Sequence, residues 1–426
     1  MREPKSSLDF ERYIFDEVHG SIGITPLENK IIDTQIYQRL RRIHHLGCAS
    51  LVYPGATHNR FSHSIGSVFI IDKFARSLGL DKDTRERQLL RLVALLHDIG
   101  HLPFSHTLEG ADDKEKHTMI GQNIIKMEPV SDILAKSEIK PDEVIKVLTK
   151  VSDPRYSLLI DSDLDVDKVD YLTRDAHHTG LVYGIIDVDR ISRTIYFDSE
   201  KRLCVEYKSK QALENFLLAR YYMYSTVYHH RTVASFELML RLIFSGLVKD
   251  DPSLSPSQVL SKGPECFAGY TDDFLLRTMI EYKGQNEFLK ELIRMYLRRE
   301  PLKCVSDQIR LAKETMTSEY YTLELLRSKE IQLKELAEAS KVPLEWILID
   351  SSKPINLVSA EEAAVRIQEN EESDKTIPIV EDRTSIVRTL RDVTRSCLRM
   401  YTKQEYKDQL KKSLKERYSM PATSVA

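Results

Sequence analysis

The sequence predicts a mainly α-helical protein with small β-hairpin additions and an α-rich C-terminal region. From Thr34 to about Ser245, most segments repeat apolar residues at helical spacing. Strand-like runs of β-branched and aromatic residues are short, and they occur around residues 184–207 and near residue 350. Gly and Pro number only 15 each in 426 residues, so the composition is not that of a chain with long disordered segments.

In the first half of the chain, the first 30 residues are predicted to be extended or to form a hairpin. Their apolar pieces are short and are broken by Gly20, Gly23 and Pro26. The helical periodicity then predicts helices over residues 36–46, 61–79, 84–98, 118–127, 142–150 and 211–247. The runs DRISRTIYFD and RLCVEYK flank a turn at residues 198–200, which predicts a small hairpin within residues 184–207.

In the second half, the run DDPSLSPSQVLSKGPE predicts a linker or loop because of its Pro and Gly residues. Helical runs to about Lys341, a strand-like piece EWILIDSSKPINLVS and the acidic stretch ENEESDK follow it. A basic amphipathic helix is predicted at residues 382–418. We therefore expect a core at 1–247, a helical region at 248–345, and at 346–426 a small α/β element with a C-terminal helix that forms oligomer contacts.

The composition excludes some classes of protein. A formal net charge of -3 argues against wholesale coating of nucleic acid, so any polyanion would bind in a local basic pocket. The five cysteines lack metal-type spacing and are predicted to be reduced thiols, namely Cys48, Cys204, Cys266, Cys304 and Cys397. The N-terminus has no apolar segment and no run approaches about eighteen apolar residues, which predicts a soluble cytoplasmic protein without a membrane partner.

The strongest chemical signal is the adjacent pair His97-Asp98 at the end of the apolar run LLRLVALL. Polar groups are costly on a buried helix unless something pairs with them, and a metal ion is a common reason for their presence. His63 and Asp167 would complete a set of two imidazoles and two carboxylates, which suits Fe, Mn, Zn, Co or Ni. Each residue alone has a bland interpretation as a helix cap or a solvated face. Their conjunction favours a hydrolytic metal site.

Several longer runs carry a resemblance to a known family. They are DTQIYQRLRRIHHLG, VYPGATHNRFSHSIG, LLHDIGHLPFSH, IDSDLDVDKVDYLTRDAHHTG and ARYYMYSTVYHHR. Together they resemble the HD-domain superfamily. Within it they are most similar to the deoxynucleoside triphosphate (dNTP) triphosphohydrolases, meaning the SAM-and-HD-domain enzymes of animals and their dGTPase-like bacterial and archaeal relatives. The resemblance covers roughly residues 12–245 and includes no SAM domain. It implies that the helical core at 1–247 is an HD-domain phosphohydrolase core.

The resemblance also implies roles for individual residues. The metal would be held by His63, His97, Asp98 and Asp167. The catalytic set would be Arg60 on the α-phosphate, His101, His106 and His117 around the scissile bond, and Glu109, in place of a more usual Asp, orienting His106. The substrate would be bound by Lys168, Tyr171 and Arg220 at the outer phosphates, Asp175 at the 3′-hydroxyl, Tyr228 on the sugar, and His45, which replaces a glutamine that contacts sugar and base in the animal enzymes. Glu109 is expected to raise the pKa of His106 toward neutrality.

Regulation by nucleotides is a further implication. Residues that resemble the animal enzymes' two activator sites are Arg12, Asp33, Gln38 and Arg41 for the first, and Lys208, His230 and Arg231 for the second. The resemblance implies a GTP or dNTP activator and a homo-oligomer, either a tetramer or a dimer. Asp33 also fits a simple helix N-cap, and Glu206 stands where the animal enzymes have an arginine, so both interpretations stay open.

The sequence leaves three functions open. The leading one is a metal-dependent dNTP triphosphohydrolase, for which a second ion such as Mg²⁺ is chemically reasonable although no residue encodes it. The second is an HD phosphohydrolase that acts on another nucleotide, such as a monophosphate, a cyclic nucleotide or an alarmone. The third is a nucleotide or nucleic-acid sensor without turnover, which the basic runs RTLRDVTR and KDQLKKSLKERY support slightly.

Overall fold

The computed structural model describes residues 8–109, 116–311, 318–352, 355–356, 358, 364–391 and 393–418. These residues form mostly helices with three small sheets, which confirms the predicted mainly helical class. The strands are β1 (Arg12–Asp16), β2 (Gly20–Ile24), β3 (Ile195–Phe197), β4 (Leu203–Val205), β5 (Lys303–Leu311), β6 (Leu348–Ser351), β7 (Ile355–Asn356), β8 (Arg366–Gln368), β9 (Thr376–Pro378) and β10 (Thr394–Thr402).

The helices of the N-terminal half are α1 (Pro26–Ile32), α2 (Gln35–Gln38), α3 (Arg60–Ser77), α4 (Thr84–Leu96), α5 (His117–Lys126), α6 (Val130–Ala135), α7 (Pro141–Leu148), α8 (Pro154–Ile160), α9 (Val166–Thr179), α10 (Val188–Thr194), α11 (Lys210–Met223) and α12 (Arg231–Asp250). Those that follow are α13 (Pro256–Ser261), α14 (Pro264–Ala268), α15 (Asp272–Glu281), α16 (Glu287–Leu297), α17 (Ser318–Ser328), α18 (Glu330–Ser340) and α19 (Lys407–Tyr418).

Three capped helices form the centre of the molecule, where α3 packs against α4 and α9. The side chain of Asn59 accepts a hydrogen bond at the start of α3, and Asp83 and Asp165 do the same for α4 and α9. Such caps satisfy backbone N–H groups that a helix leaves without partners, so they fix where each helix begins. The first turns of α3 and α9 and the end of α4 therefore meet in one region.

The predicted helices 61–79, 84–98, 118–127 and 142–150 correspond to α3, α4, α5 and α7, and β1 and β2 form the predicted N-terminal hairpin. The predicted helix 36–46 was wrong beyond Gln38. A tighter 3₁₀ turn covers Arg39–Arg42, because the buried Arg39 guanidinium donates to the carbonyl oxygens of Ile99, His101 and Tyr270. These distant partners are invisible to local periodicity.

Two further segments differ from the sequence prediction. The helix predicted over residues 211–247 is interrupted by a π-helical turn at Tyr224–Tyr228, after which α12 begins at Arg231. Such turns occur frequently at functional sites. In the predicted hairpin, β3 and β4 pair as expected, but the run DRISRT forms α10, whose N-terminus is capped by Asp187.

The C-terminal half contains more strand than the sequence predicts. The nine-residue strand β5 lies inside the region predicted to be helical. In the helix predicted at 382–418, β10 occupies much of the range, α19 is α-helical, and two short 3₁₀ turns cover Ile386–Leu390 and Gln404–Tyr406. The strand β10 pairs with β5, β6 and β7. Its arginines mimic an amphipathic helix, but Arg399 is buried and pairs with Asp307 on β5. The segment predicted as a linker contains α13 and the start of α14.

One continuous apolar core runs from Ile22 to Leu414, and it joins the helical half to the C-terminal sheets. The segment boundaries at residues 247 and 345 remain predictions. All five cysteines are unpaired, as expected. Among the described residues, no helix combines the length and apolar character needed to cross a membrane.

Candidate metal centre and active site

The four predicted metal ligands lie close together, and the donor atoms of His63, His97 and Asp167 form one compact group. His63 Nε2 lies 3.0 Å from Asp167 Oδ1, 3.2 Å from His97 Nε2 and 3.5 Å from Asp98 Oδ2. His97 Nε2 lies 3.4 Å from Asp98 Oδ1 and 3.7 Å from Asp167 Oδ1. Ligands about 2.0–2.2 Å from a common ion stand roughly 3.0–3.6 Å from one another in tetrahedral or octahedral geometry. The donor spacing therefore fits a divalent transition ion, and the cluster suggests divalent metal binding.

Both imidazoles are held so that Nε2 faces this point. His63 Nδ1 lies 2.8 Å from Asp170 Oδ2, and His97 Nδ1 lies 2.7 Å from the carbonyl oxygen of Ala94. An acceptor at Nδ1 fixes the N–H there and leaves the Nε2 lone pair for a metal. No role for Asp170 is predicted from the sequence. Its spacing of three residues from Asp167 on one helix was the available signal.

Asp170 is itself fixed by two cationic or polar neighbours. Arg174 donates to both of its oxygens at 3.0 Å, and His19 Nε2 lies 2.7 Å from Oδ1. Arg174 also pairs with Asp16 on β1 at 2.9 Å. A Cβ at Gly66 would stand 1.9 Å from Asp170 Oδ1, so only glycine at this position of α3 leaves room for the ion pair. The hairpin, α3 and α9 are thereby tied together behind the metal ligands.

The electrostatic field at the cluster is negative. Burial alone would lower the pKa of His63, but its hydrogen bonds to Asp167 and Asp170 and the charge of Asp98 raise it to about 10. Burial likewise opposes protonation of His97, whereas the charges of Asp98 and Asp167 raise its pKa. In Asp167, burial favours the neutral acid, but hydrogen bonds from His63 and His97 lower the pKa. A site that attracts protons in this way also attracts a divalent cation.

Arg60 links the cluster to the next loop. Its Nη1 donates to Asp98 Oδ2 at 2.6 Å, and its Nε donates to Ser105 Oγ at 2.9 Å. The guanidinium is buried and lines the cavity that contains the metal ligands. This position is compatible with the expected contact to a substrate phosphate, which stays a prediction.

The three histidines expected near the scissile bond lie around Glu109. His106 Nδ1 is 3.1 Å from Glu109 Oε1, and His117 Nδ1 contacts the same oxygen. The rings of His101 and His117 stack, with centroids 4.1 Å apart. His101 Nε2 lies 3.1 Å from Asp98 Oδ1, so this group adjoins the metal centre. The predicted catalytic residues are thus brought together.

The expected rise in the pKa of His106 is not found. The walls of the cleft desolvate the ring and lower its pKa, even though 59% of the side chain remains exposed. Glu109 offsets part of this effect, but the positive charges of Arg60 and His117 add to it. The pKa of Glu109 is itself lowered, because the hydrogen bonds from His106 and His117 outweigh its burial.

A cavity of about 930 Å³ extends from the metal ligands to the predicted sugar-binding residues. The Tyr228 hydroxyl donates to Asp175 Oδ2 at 2.6 Å, and His58 Nε2 lies 2.8 Å from Asp175 Oδ1. His45 Nε2 is 3.8 Å from the same carboxylate, and Tyr171 also lines the cavity. His58, which sequence reasoning left unassigned, orients Asp175 and could have been suspected from its place in HNRF.

Lys168 and Arg220, which were expected to bind the outer phosphates, pair with carboxylates in the structure instead. Lys168 Nζ lies 2.5 Å from Asp165 Oδ2, and Arg220 Nη1 lies 3.5 Å from Asp163 Oδ1. Both cations are mostly buried, and neither is among the described residues that line the cavity. The lining cations that the sequence analysis missed include Lys116 and Lys150. The roles of Lys168 and Arg220 stay predictions.

The C-terminal half completes the wall of the cavity. Asp350 on β6 and both Cys397 and Arg399 on β10 line it, together with Glu237 and Arg241 of α12. Burial raises the pKa of Glu237 to about 7. We expected this half to form oligomer contacts, and nothing in the sequence placed β10 in the wall of this cavity.

The residues expected at activator sites lie in three places. Arg12 pairs with Asp33 at 3.1 Å, and Arg41 Nε donates to Gln38 Oε1 at 2.8 Å. The second group consists of His230 and Arg231 at the start of α12, and Lys208, which pairs with Glu206 at 2.5 Å. Lys208 lines a second cavity, of about 890 Å³, together with the acidic residues Glu206, Glu371 and Asp374. Nucleotide binding at these positions stays a prediction.

Comparison with known proteins agrees with this architecture. The chain matches the HD domain over residues 60–175 and the HD associated region over residues 186–424. The second match covers more than half of the chain, so the protein belongs to the family of HD-domain phosphohydrolases that carry an HD associated region.

The alignments with individual curated relatives cover only about half of this chain. An uncharacterized protein of Methanocaldococcus jannaschii is 42% identical over 233 residues, which are 54% of this chain and 48% of that protein. The deoxynucleoside triphosphate triphosphohydrolase SAMHD1 of Homo sapiens is 29% identical over 267 residues, covering 53% of this chain and 42% of that one. The chain thus spans about half the length of these curated relatives. A hypothetical protein from Aquifex aeolicus shares the fold with a TM-score of 0.75, at 24% identity and over 95% of this chain and 99% of that one.

The orientation of His63 by Asp170 gives a first testable prediction. Asp170→Asn should weaken binding of Mn²⁺ or Co²⁺ about 10–100-fold, because the carboxylate that fixes the His63 tautomer is lost. Isothermal titration calorimetry on the metal-stripped protein measures this affinity.

A matched control is Asp72→Asn. Asp72 is also a buried carboxylate paired with arginines, namely Arg87 and Arg91. It lies on α3 roughly 13 Å along the helix from the metal ligand His63. Both substitutions should lower the melting temperature, whereas only Asp170→Asn should weaken metal binding. Equal metal affinity in the two variants would contradict the assignment.

Proposed function

We propose that this phosphohydrolase is a metal-dependent dNTP triphosphohydrolase, which releases a deoxynucleoside and inorganic triphosphate. One observation carries the proposal. The predicted metal ligands His97, Asp98 and Asp167 line the same cavity as the hydrogen-bonded pair of Asp175 and Tyr228. The partial likeness to an animal protein named for this activity supports it.

The spacing along α9 supports a nucleotide rather than a phosphate alone. Asp167 and Asp175 stand eight residues apart, which is about 12 Å along the helix. A nucleotide could span this distance, with a phosphate oxygen on the ion near Asp167 and the sugar 3′-hydroxyl on Asp175. Tyr228 caps the carboxylate at 2.6 Å, so an added 2′-hydroxyl would meet the tyrosine.

The chain supplies the groups that this hydrolysis needs. His63, His97, Asp98 and Asp167 would hold an ion, which when bound would supply a water of lowered pKa and a contact to a phosphate oxygen. Arg60 offsets the charge that develops on the α-phosphate. His106, with Nδ1 held by Glu109, presents Nε2 to the departing 5′-oxygen. The bond between the α-phosphorus and that oxygen breaks, the water oxygen joins phosphorus, and a proton passes to the 5′-oxygen. The charge of the bound triphosphate favours the protonated imidazole.

We also propose that the outer phosphates bind between the lining cations Lys116 and Lys150 and the deeper pair Lys168 and Arg220.

We propose in addition that a nucleotide activator regulates the protein. A GTP or dNTP activator would bind between copies of the chain, at the separate surfaces that contain Arg12 and the start of α12, and would promote a homo-oligomer.

A product analysis tests the proposed reaction. The purified protein is incubated with each dNTP and Mn²⁺ or Mg²⁺, with and without GTP, and the products are separated by anion-exchange chromatography. We expect deoxynucleoside and intact triphosphate in equal amounts. The double variant His97→Ala with Asp98→Ala should lose bound metal and all turnover, whereas the control His177→Ala, an exposed residue on α9, should match the wild type. Activity that survives in the double variant would contradict the assignment of the metal centre.

A second variant tests the proposed acid. His106→Ala should keep the ion at the His63 cluster but lose about 10²–10⁴ in turnover, because the 5′-oxygen then leaves without a positioned proton donor. Metal content and kcat are measured on the same preparation. An unchanged kcat would remove His106 from this role.

Discrimination at the sugar gives another prediction. Tyr228→Phe keeps the ring but removes the hydrogen bond to Asp175, so kcat/KM for dNTPs should fall modestly while ribonucleotides stay excluded. Tyr228→Ala should in addition raise the relative kcat/KM for ribonucleotides, because the ring that excludes the 2′-hydroxyl is gone. If both variants keep the wild-type ratio, the sugar is recognised elsewhere.

A second candidate function has one observation in its favour. Since Lys168 and Arg220 are paired with carboxylates, the cavity could serve a nucleotide with fewer phosphates. Orthophosphate released from nucleoside monophosphates, with no product from dNTPs, would identify that alternative.

A further inference from the structure

The part of the cavity that runs along α12 has no role in the proposed reaction, and we call it the α12 pocket. It starts near Tyr228, which we place on the sugar and which ends the π-helical turn before α12. The strands β6 and β10 contribute Asp350 and Arg399 to its lining. The residues of α12 that line it stand at helical spacing on one face, and they are Val233, Ala234, Glu237 and Arg241.

The first part of the α12 pocket is lined by small and apolar residues. Leu46, Gly47 and Ala49 line the cavity, and Ala49 packs with Val233 in a small apolar cluster. Gly47 has a φ of +52°, and a Cβ there would stand 2.7 Å from Thr107 Oγ1, so the position requires glycine. Apolar walls of this kind suit the faces of a planar ring, which needs polar partners only at its edge.

Glu237 places a carboxyl group without a partner one helical turn beyond Val233. The side chain is partly buried and lines the cavity, and among the described residues it forms no hydrogen bond and no ion pair. Burial raises its pKa to about 7, although the charges of Arg241 and Arg399 oppose this rise. A carboxylate removed from water is costly unless a donor meets it, so Glu237 is suited to a ligand that donates hydrogen bonds.

Two arginines of the α12 pocket are fixed by other groups. Arg241 Nη2 lies 2.5 Å from Asp350 Oδ1, and Arg399 Nε donates to Asp307 Oδ1 at 2.7 Å. Arg399 Nη2 also donates to the carbonyl oxygen of His229 at 2.8 Å. Within the described part of the chain, Nη1 of each arginine has no hydrogen bond. The pocket thus combines positioned donors with a carboxylate that only accepts when it is ionised.

We propose that the α12 pocket binds the nucleobase of the substrate, and that Glu237 with Arg241 and Arg399 makes guanine the preferred base. The proposal rests on the proposed function, because it takes the sugar to lie on Asp175. Guanine carries two adjacent donors, N1–H and the 2-amino group, beside the acceptor O6. The carboxylate would accept from both donors, and a guanidinium would donate to O6 or N7. Adenine, cytosine and thymine have no two adjacent donors on this edge.

A competition assay tests the base preference. Equal amounts of dGTP and dATP are mixed in one reaction with Mn²⁺ at pH 8, where Glu237 is largely ionised, and both deoxynucleosides are quantified. Both substrates meet the same enzyme, so the rate ratio gives the ratio of kcat/KM whatever activator is bound. We expect the wild type to prefer dGTP about 10–100-fold, as for the loss of hydrogen bonds to a charged group.

Two variants locate that preference. Glu237→Gln should lower the dGTP preference about 10-fold or more while dATP is still hydrolysed, because an amide replaces one acceptor by a donor. The matched control Glu281→Gln, at an exposed position of α15, should keep the wild-type ratio. Equal kcat/KM for the two substrates in the wild type, or an unchanged ratio in Glu237→Gln, would overturn the base assignment and leave the triphosphohydrolase activity standing.

A binding measurement separates this proposal from the reaction. If no dNTP is hydrolysed, the proposed function fails, and the pocket is tested by calorimetric titration of the metal-stripped protein with dGMP and with dAMP. Tighter binding of dGMP by about 10-fold or more, lost in Glu237→Gln but kept in Glu281→Gln, would support the pocket. Equal affinity for the two nucleotides, or no binding of either, would overturn it.

Discussion

The arrangement of the site depends on one buried chain of charged and polar groups, which runs from His63 through Asp170 and Arg174 to Asp16. Burying isolated charges costs several kcal/mol per ion, about 3–5 kcal/mol when one partner is then removed, so such a chain persists only if every member is paired. Here each carboxylate has a cation or imidazole within about 3 Å. Because its members come from β1, α3 and α9, the same contacts that hold these elements together also fix the direction of the His63 ring.

The HD domain does not form the whole wall of the cavity, because residues of the C-terminal half also line it. The strand β10 contributes Cys397 and Arg399 to the lining, and Arg399 is held by Asp307 of β5 and by the carbonyl oxygen of His229. His229 directly follows the π-helical turn that contains Tyr228. The HD associated region therefore supports the residue that we place on the sugar, and changes in that region should reach substrate selection without touching the metal ligands.

The sequence predicted those features whose causes are local. The helices α3 and α4 follow from apolar spacing, and the four metal ligands stand out as polar groups in the sequence. The helix α9, which contains Asp167, was not among the predicted helices. The strand β10 could not be predicted, because Arg399 becomes acceptable in a buried strand only when Asp307, 92 residues away, is beside it. The role of Asp170 was hidden for the same reason, since its function is set by His63 and Arg174 in three dimensions. The partner of Lys168, Asp165, is only three residues away in the sequence, and Asp163, the partner of Arg220, lies in the same acidic run. Both carboxylates were noted in the sequence, but their pairing with these cations was not predicted.

The residues that follow α4 show how tertiary contacts hold a strained backbone in place. Two consecutive non-glycine residues in the left-handed region, Phe104 and Ser105, cost on the order of 1–3 kcal/mol each. Tertiary contacts compensate, since the Phe104 N–H donates to Asp272 at 2.6 Å and the Ser105 hydroxyl donates to the His44 carbonyl while accepting from Arg60. The strain is thus offset by groups that reach the loop from α15 and α3. Since stabilising a transition state requires dipoles already in place, a loop fixed in this way reduces the reorganisation that the reaction would otherwise demand.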